Sequence, residues 1–261
     1  MDDIDLTQRL SEAETVAVAH AACLEIANVL GFSQFLFGLR LPVPLTQPCQ
    51  LILSGYSTVW RSRYDEQRYM LIDPVLQQAA TSTLPVVWDE LDRSGPRVAQ
   101  MFGEAADTGL RHGVTLPVHG AHGEFSLLSL AGPEALPRTP GARMELARRA
   151  FWFAAHLHTC VRRIALRPPV PLRGELPVQL TPRERECLTL AADGHSAAEI
   201  ARRLKITERT VVFHFSRCQE KLQVSTRQHA VARAIALGEV IPQCYPDRLA
   251  QSLHLVETPG H

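Results

Sequence analysis

The sequence predicts an α+β protein, with an α/β/α sandwich domain followed by a small all-α helix-turn-helix domain. Three observations lead to this class. In the first two thirds of the chain, stretches with the spacing of amphipathic helices alternate with short apolar runs typical of antiparallel strands. Four prolines then fall within residues 167–177 and interrupt any regular element. The last quarter carries helical signals, with capping residues at the predicted helix starts.

The first domain contains helix and strand signals in alternation. Residues 7–30 carry apolar side chains at helical spacing up to Gly31, which predicts one amphipathic helix. Two apolar runs around Gly120 and Gly123 predict a β-hairpin. The predicted helices cover residues 7–30, 56–69, a short segment from 73, 96–110 and 141–166, and the predicted strands cover 34–41, 49–54, 114–118 and 125–130.

The proline-rich segment marks the boundary between the two domains. Proline lacks a backbone donor and has a fixed φ, so such a run favours an extended, semi-rigid linker. We therefore expect the first domain in residues 1–166, the linker in 167–177, the second domain in 178–240 and a tail in 241–261.

The second domain begins with a strong helix-start signal. Thr181 can cap the exposed backbone amides, Pro182 suits the first helical position, and Glu184 completes a capping box. We expect this helix to end at Gly194. Further helices are predicted to start at Ser196 and Thr207 and to cover residues 226–237.

Two short helices, a tight turn and a third helix form a helix-turn-helix, which places the third helix in the major groove of DNA. The exposed face predicted for that helix carries hydroxyl, imidazole and basic side chains suited to phosphates and base edges. The alternative, a helical bundle with ordinary surface arginines, explains the caps, the turn and the basic face less well. The candidate DNA-binding residues are Thr207, Arg209, Thr210, His214, Arg217 and Lys221.

Charge and composition agree with this division. The net charge is zero, yet residues 176–238 hold ten basic and six acidic side chains, against 17 and 21 in the rest of the chain. A basic segment permits a polyanionic partner. The acidic amino terminus and the lack of an apolar run of about 20 residues argue against a secretory signal and a membrane partner. Six scattered cysteines favour a reducing, cytoplasmic location.

Three aromatic side chains share one face of the helix predicted for residues 56–69. Tyr56, Trp60 and Tyr64 are spaced four residues apart, and Asp73 with Pro74 begins the next helix. An aromatic stripe is usually core, and an aspartate before proline is usually a helix cap. The residues alone therefore leave a structural core and a binding pocket open as interpretations.

Both domains nevertheless resemble one family of bacterial regulators. The segment Leu180-Thr181-Pro182-Arg183-Glu184, with Gly194, Ile200-Ala201, Leu204, Ile206-Thr207, Thr210-Val211 and His214, resembles the LuxR-type helix-turn-helix. The residues Tyr56, Trp60, Tyr64, Asp73-Pro74 and Trp88, with segments 109–113 and 126–130, resemble the acyl-homoserine lactone-binding domain of quorum-sensing LuxR-type receptors. The resemblance implies an autoinducer-binding and dimerisation domain in residues 1–166 and a DNA-binding domain in 178–240.

The resemblance also implies how the polar part of an acyl-homoserine lactone is held. Trp60 would donate its indole N–H to the lactone carbonyl, and Asp73 would accept the amide N–H. Tyr56 and Ser129 would offer hydroxyl groups to the amide carbonyl. Arg61 would help to read a 3-oxo group through water.

The remaining predicted contacts are apolar. By the same resemblance, the rings of Tyr64 and Trp88 would wall the site, and Gly38 would leave room beside the acyl chain. The aliphatic residues expected along the acyl channel are Leu36, Val75, Leu110 and Leu127.

One position departs from the family pattern. Val212 stands where these proteins usually carry a basic residue, so we expect a weakened phosphate or base contact. Two functions therefore stay open: a lactone-responsive DNA-binding regulator, and an orphan or anti-regulator that acts by heterodimerisation or senses a non-lactone signal. The implied partners are double-stranded operator DNA, a small-molecule autoinducer, a second copy of the chain and RNA polymerase.

The long helix 141–166 is the expected seam of that homodimer, through Phe151, Phe153, Ala154, Leu157 and Val161. We expect no cofactor and no metal, because the His119/His122 and His156/His158 pairs lack a third ligand at a recognisable spacing. No nucleophile-elbow, P-loop or dinucleotide-binding motif is present, so an enzyme is the least supported class.

Overall fold

The computed structural model describes residues 3–41, 49–120, 123–166 and 180–240. Over these ranges the chain divides into two compact units, one on each side of the proline-rich segment. The predicted linker 167–177 and the predicted tail 241–261 lie outside the described residues.

In the part of the chain that is described, the first unit contains six α-helices, five strands and two short 3-10 helices (Tyr69–Leu71 and Trp88–Glu90). In chain order the α-helices and strands are α1 (Asp3–Glu12), α2 (Val16–Val29), β1 (Gln34–Leu41), β2 (Cys49–Ser54), α3 (Thr58–Glu66), α4 (Pro74–Thr81), β3 (Val86–Val87), α5 (Pro96–Asp107), β4 (His112–His119), β5 (Phe125–Gly132) and α6 (Pro140–Ala165). The strands form one sheet in the order β2-β1-β5-β4-β3, in which all neighbours are antiparallel.

Helices cover both faces of this sheet, which confirms the expected sandwich. On one face, α1, α2 and α6 bury an apolar core that includes Phe35, Leu128 and Phe153. On the other face, α3, α4 and α5 enclose an aromatic cluster around Trp60 and Trp88. Because side chains alternate along a strand, β5 contributes to both layers, and its odd-numbered residues face the aromatic cluster.

The prediction of one helix over residues 7–30 is wrong, because the chain breaks between α1 and α2. The hydroxyl oxygen of Thr15 caps α2 by accepting a hydrogen bond from the backbone N–H of Val18 at 3.3 Å. Arg163 of α6 donates hydrogen bonds to the backbone oxygens of Leu10, Ser11 and Ala13, which the break leaves without helical partners. The stabilising side chain comes from the far end of the domain.

Four of the five residues expected at a dimer seam on α6 are instead buried within their own domain. Phe153, Ala154 and Leu157 are fully buried within their own domain, and Val161 is 1% exposed. The exposed side of α6 instead carries Met144 and Trp152. The residues predicted for the seam do share one face of the helix, but that face packs on the sheet.

The second unit is a four-helix domain built from α7 (Pro182–Ala192), α8 (Ala197–Leu204), α9 (Glu208–Lys221) and α10 (Arg227–Ala236). The capping box at Thr181 and Glu184 is present as predicted, and Ser196 with Glu199 forms a second one. Gly194 adopts φ +88° at the end of α7, a conformation that favours glycine. In both units, none of the described helices is long and apolar enough to cross a bilayer.

Candidate functional site

A cavity of about 720 Å³ lies between the sheet and helices α3, α4 and α5. Its wall is mostly apolar, with a few polar groups at one side. All ten residues predicted to contact a ligand line this cavity: Leu36, Tyr56, Trp60, Arg61, Tyr64, Asp73, Val75, Trp88, Leu110 and Ser129. Gly38 and Leu127 line it as well. The fold therefore gathers in one place residues that are spread over about a hundred positions of sequence.

Sequence reasoning missed several lining residues. Met101, Phe102 and Ala105 form one face of α5, and Ile52 and Phe125 come from strands β2 and β5. The amphipathic pattern of α5 is visible in the sequence, but the pattern does not indicate which layer of the sandwich its apolar face covers.

Asp73 is buried at the start of α4, with both carboxylate oxygens engaged. Its Oδ1 accepts a 2.8 Å hydrogen bond from the backbone N–H of Val75, and its Oδ2 accepts a 2.8 Å hydrogen bond from the hydroxyl of Tyr64. Burial raises the pKa of Asp73, while the hydrogen bonds from Tyr64 and from the backbone amides of Val75 and Leu76 oppose that rise. A carboxylate has about four acceptor positions, so Asp73 keeps capacity for a further donor.

Trp60 is held by two tyrosine rings. Its indole stacks on Tyr69 with ring centroids 6.0 Å apart and meets the edge of Tyr64 at 5.7 Å. The hydroxyl of Tyr69 in turn donates to Glu104 at 3.0 Å, which fixes the ring beneath the indole. Among the described residues, the indole N–H of Trp60 has no hydrogen-bond acceptor, and an indole N–H can only donate.

Tyr56 presents a second unsatisfied group. Its hydroxyl oxygen is buried and has no hydrogen-bond partner in good geometry within the described ranges. Burial raises the pKa of Tyr56 and the negative charge of Asp73 raises it further, against a hydrogen bond with Ser129 that lowers it, so the phenol is neutral and able to donate. A buried donor without a partner costs about 1–3 kcal/mol until a ligand supplies an acceptor.

Trp88 does more than wall the cavity. Its indole N–H donates to the hydroxyl oxygen of Thr115 at 2.9 Å, and the same Thr115 oxygen lies 2.8 Å from Oγ of Ser129. The indole also requires Gly113, because a Cβ there would lie 2.7 Å from Cδ2 of Trp88 and 2.9 Å from the backbone oxygen of Leu130. The sequence indicated Gly113 and Trp88 but not their contact.

Arg61 supplies positive charge beside the tyrosines. Its guanidinium is one of the groups that lower the pKa values of both Tyr56 and Tyr64 against the dominant effect of burial. In the part of the chain that is described, Arg61 forms no ion pair. It lines the cavity together with Asp65 and Gln50, which give that part of the wall a polar character.

A serine–histidine pair lies on the opposite face of the sheet. Oγ of Ser126 is 2.8 Å from Nδ1 of His158, and Ser126 is fully buried against α6. Burial lowers the pKa of His158. This pair has no contact with the cavity, so its geometry is that of a satisfied core hydrogen bond.

In the second unit, α9 is the helix predicted to enter DNA. Thr207 caps it by accepting from the backbone N–H of Thr210 at 3.1 Å, and the two hydroxyl groups also hydrogen-bond at 2.8 Å. Arg209 is exposed, and His214 is half-buried with its ring against the edge of Phe213. Arg217 is exposed and pairs with Glu220 one turn later.

Lys221 is half-buried at the end of α9, with its side chain 27% exposed. Its ammonium lies 2.7 Å from Oε2 of Glu184, whose side chain is 5% exposed. The same Glu184 oxygen accepts a hydrogen bond from the backbone N–H of Thr181 at 2.8 Å. Lys221 therefore links the end of α9 to the start of α7.

Val212 and its neighbour Phe213 form an apolar patch on the exposed side of α9. Val212 is 55% exposed and Phe213 is 59% exposed. The side chain of Val212 thus faces solvent, three residues after the exposed Arg209.

Comparison with known proteins gives two family matches. Residues 15–161 match the autoinducer binding domain, and residues 178–234 match the bacterial regulatory proteins of the luxR family. The transcriptional activator protein VanR of Vibrio anguillarum is 33% identical to this chain over 223 residues, covering 82% of this chain and 88% of VanR.

Two solved proteins share the fold. Escherichia coli SdiA matches with a TM-score of 0.70 and 24% identity, over 90% of this chain and 96% of SdiA, and an SdiA complex with octanoyl-rac-glycerol matches with a TM-score of 0.68 and the same identity, over 90% and 93%. CepR2 of Burkholderia cenocepacia, described as an N-acylhomoserine lactone-dependent LuxR family transcription factor, matches with a TM-score of 0.55 and 25% identity, over 64% of this chain and 98% of CepR2.

Proposed function

The chain belongs to the LuxR family of bacterial quorum-sensing transcriptional regulators, with an autoinducer-binding domain and a LuxR-type DNA-binding domain, and from that premise we propose that it binds an N-acyl-homoserine lactone. The lactone occupies the cavity beside α3, α4 and α5. The bound protein acts in the cytoplasm as a homodimer on operator DNA. We assign ligand binding to residues 1–166 and DNA binding to residues 178–240.

The observation that carries this proposal is the match between the polar groups of the cavity and the head group of the ligand. Trp60 offers an N–H without an acceptor, which suits the lactone carbonyl. Asp73 has acceptor capacity left for the amide N–H. The unpartnered hydroxyl of Tyr56 suits the amide carbonyl, with Ser129 beside it.

The remaining wall suits an acyl chain. Leu36, Val75 and Leu110 line the cavity together with Met101 and Phe102. Burial of each methylene group stabilises the complex by about 0.8 kcal/mol. The chain therefore supplies affinity, and the polar groups supply orientation. This reading needs no catalytic group, in keeping with a family of regulators.

Ligand binding is coupled to stability in this proposal. An empty cavity leaves its lining without packing partners and leaves Tyr56 with an unpaired hydroxyl. A ligand that binds only the folded state stabilises it by about 2.7 kcal/mol at a concentration of 100 times Kd. The lactone thereby increases the amount of folded regulator.

DNA recognition is assigned to α9. Thr207 and Thr210 at its amino-terminal end and the exposed Arg209 are placed to contact phosphates and base edges, with His214 and Arg217 further along. Two such helices in a homodimer would read a dyad-symmetric operator. RNA polymerase is a partner if the bound dimer activates transcription.

The test is an electrophoretic mobility-shift assay with and without a panel of lactones from N-butanoyl to N-dodecanoyl, on DNA selected from a random pool by the full-length protein. We expect specific, lactone-dependent retardation and a rise in Tm with the same lactone. Absence of both with every lactone would overturn the proposal.

A second candidate follows from Val212, whose exposed apolar side chain replaces the usual basic residue. A regulator with weak DNA binding could act by forming heterodimers with another LuxR-type protein, or as an orphan receptor for a non-lactone signal. Octanoyl-rac-glycerol in the same panel tests whether the protein is a receptor for a non-lactone signal. Sequestration of a co-expressed regulator, without DNA retardation, would favour action through heterodimers.

A further inference from the structure

We propose that Thr115 is a positioning residue of the ligand site: it fixes the hydroxyl of Ser129 as a donor directed into the cavity, so that the site selects ligands with an acceptor oxygen at that point. The inference rests on the proposed function, because it concerns how the same cavity reads its ligand. Thr115 is fully buried behind the cavity wall on β4, directly opposite Ser129 on β5.

The direction of the hydrogen bonds follows from Trp88. An indole N–H can only donate, so Trp88 donates to Oγ of Thr115 at 2.9 Å. The hydroxyl proton of Thr115 then needs an acceptor of its own. The acceptor within reach is Oγ of Ser129 at 2.8 Å. The chain therefore runs from Trp88 through Thr115 to Ser129.

The opposite orientation leaves a proton unsatisfied. If Ser129 donated to Thr115, the Thr115 hydroxyl proton would have no acceptor among the described residues, and Thr115 is 0% exposed. A buried donor without an acceptor costs about 1–3 kcal/mol. Trp88 thus sets the direction of both bonds, and the Ser129 proton is left for an acceptor on the cavity side, which is either Tyr56 or a ligand.

Tyr56 lies at the cavity end of this hydrogen-bonded chain, beside Ser129. A side-chain hydrogen bond with Ser129 lowers the pKa of the buried Tyr56, so the two hydroxyl groups lie close together, although their alignment is poor. The hydroxyl groups of Tyr56 and Ser129 therefore meet at one point of the wall. A carbonyl oxygen of the ligand has two lone pairs and can accept from both hydroxyl groups, whereas a methylene group or an N–H at that point accepts no hydrogen bond. The site therefore requires a carbonyl at this position of the ligand.

A double-mutant cycle tests the role of Thr115. The variants are Thr115→Val, which keeps the shape of the side chain, Ser129→Ala, and the double variant, with Thr115→Ser as the matched control that keeps the hydroxyl. The measurement is the Kd of full-length protein for the tightest-binding lactone of the N-butanoyl to N-dodecanoyl series. The Tm of each unliganded variant is recorded in parallel.

If Thr115 acts through Ser129, Thr115→Val weakens binding about tenfold, while Thr115→Ser stays within about twofold of wild type. In the Ser129→Ala background, Thr115→Val has no further effect on Kd. Equal losses in both backgrounds, or unchanged binding by Thr115→Val, would overturn the inference. If Thr115→Val does not accumulate as folded protein, Thr115→Ala is taken through the same cycle. Failure of the wild type to bind any lactone would instead reject the proposed function.

Discussion

The hydroxyl of Tyr64 donates a 2.8 Å hydrogen bond to Oδ2 of Asp73, nine residues further along the chain. The aspartate is held at the same time as the N-cap of α4 through Val75. One carboxylate thus starts a helix, anchors an aromatic ring and keeps an acceptor position open toward the cavity. The structural and the binding interpretations of Asp73 are therefore compatible.

Replacement of Tyr64 by phenylalanine should weaken lactone binding about tenfold, because hydrogen bonds to charged groups contribute about 1.5–3 kcal/mol. Without the tyrosine, the carboxylate loses a donor that lowers its pKa, and its ionised form becomes less stable. Isothermal titration calorimetry of Tyr64→Phe measures the loss. Affinity equal to that of the wild type would show that Asp73 does not need this bond.

Replacement of Tyr56 by phenylalanine should act differently on the free and the bound protein. The buried hydroxyl has no partner before the ligand binds, so its removal leaves the Tm of the unliganded protein equal or higher. The rise in Tm on adding lactone should shrink, because the donor to the ligand is gone. Differential scanning fluorimetry gives both values. A lower Tm for unliganded Tyr56→Phe would contradict an unpaired hydroxyl.

The affinity for lactone and the stability of the free protein should respond to pH in opposite directions. Burial raises the pKa of Asp73 from its ordinary 3.8, so the folded protein holds this proton more tightly than the unfolded chain. Between 3.8 and the raised value, the contribution of Asp73 to stability therefore increases as the pH falls. Lactone binding needs the ionised carboxylate as acceptor, so affinity falls over the same range.

Asp73→Asn is the matched variant for this prediction, since an amide does not titrate. Kd and Tm are measured for both proteins from neutral to mildly acidic pH. The difference between wild type and Asp73→Asn isolates the effect of one carboxyl group from other titrations. An affinity that changes equally with pH in both proteins would exclude Asp73 as the titrating acceptor.

Substitutions of Lys221 and Arg209 on α9 should have different effects, one on the stability of the domain and the other on DNA binding. Lys221→Met removes the partner of buried Glu184, and we expect a loss of about 1–2 kcal/mol in the stability of the DNA-binding domain. Arg209→Ala should leave stability within about 0.5 kcal/mol and weaken DNA binding. Denaturant unfolding and mobility shifts measure the two effects. Unchanged stability in Lys221→Met would show that the ion pair with Glu184 does not stabilise the domain, and would favour a role for Lys221 in DNA contact.

Restoring a basic side chain at position 212 should strengthen DNA binding and make it more sensitive to salt. The exposed Val212 lies where a lysine could reach a phosphate. Each added phosphate contact steepens the slope of log K against log salt by about 0.9. Val212→Ala is the control, since it changes shape without charge. A slope that is equal in Val212→Lys and Val212→Ala would mean that position 212 does not face the backbone of DNA.

Sequence reasoning succeeded where the deciding interactions are local. The caps at Thr181 and Thr207 bond to amides three residues away, so their signal lies within one turn of the chain. The strands at 34–41 and 49–54 were likewise predicted with the bounds that the structure has. The ten ligand-site residues came from resemblance, and the fold places all ten around one cavity.

The tertiary structure decided which long-range partner each polar group takes. Arg163 stabilises the break between α1 and α2 from about 150 positions away in the sequence. The indole N–H of Trp88 donates a hydrogen bond to Thr115, and Lys221 pairs with Glu184. It also turned the apolar face of α6 inward. Periodicity identifies a buried face and local hydrogen bonds identify a helix start, whereas the partner of a buried polar side chain depends on which elements the packed core brings within 3 Å of it.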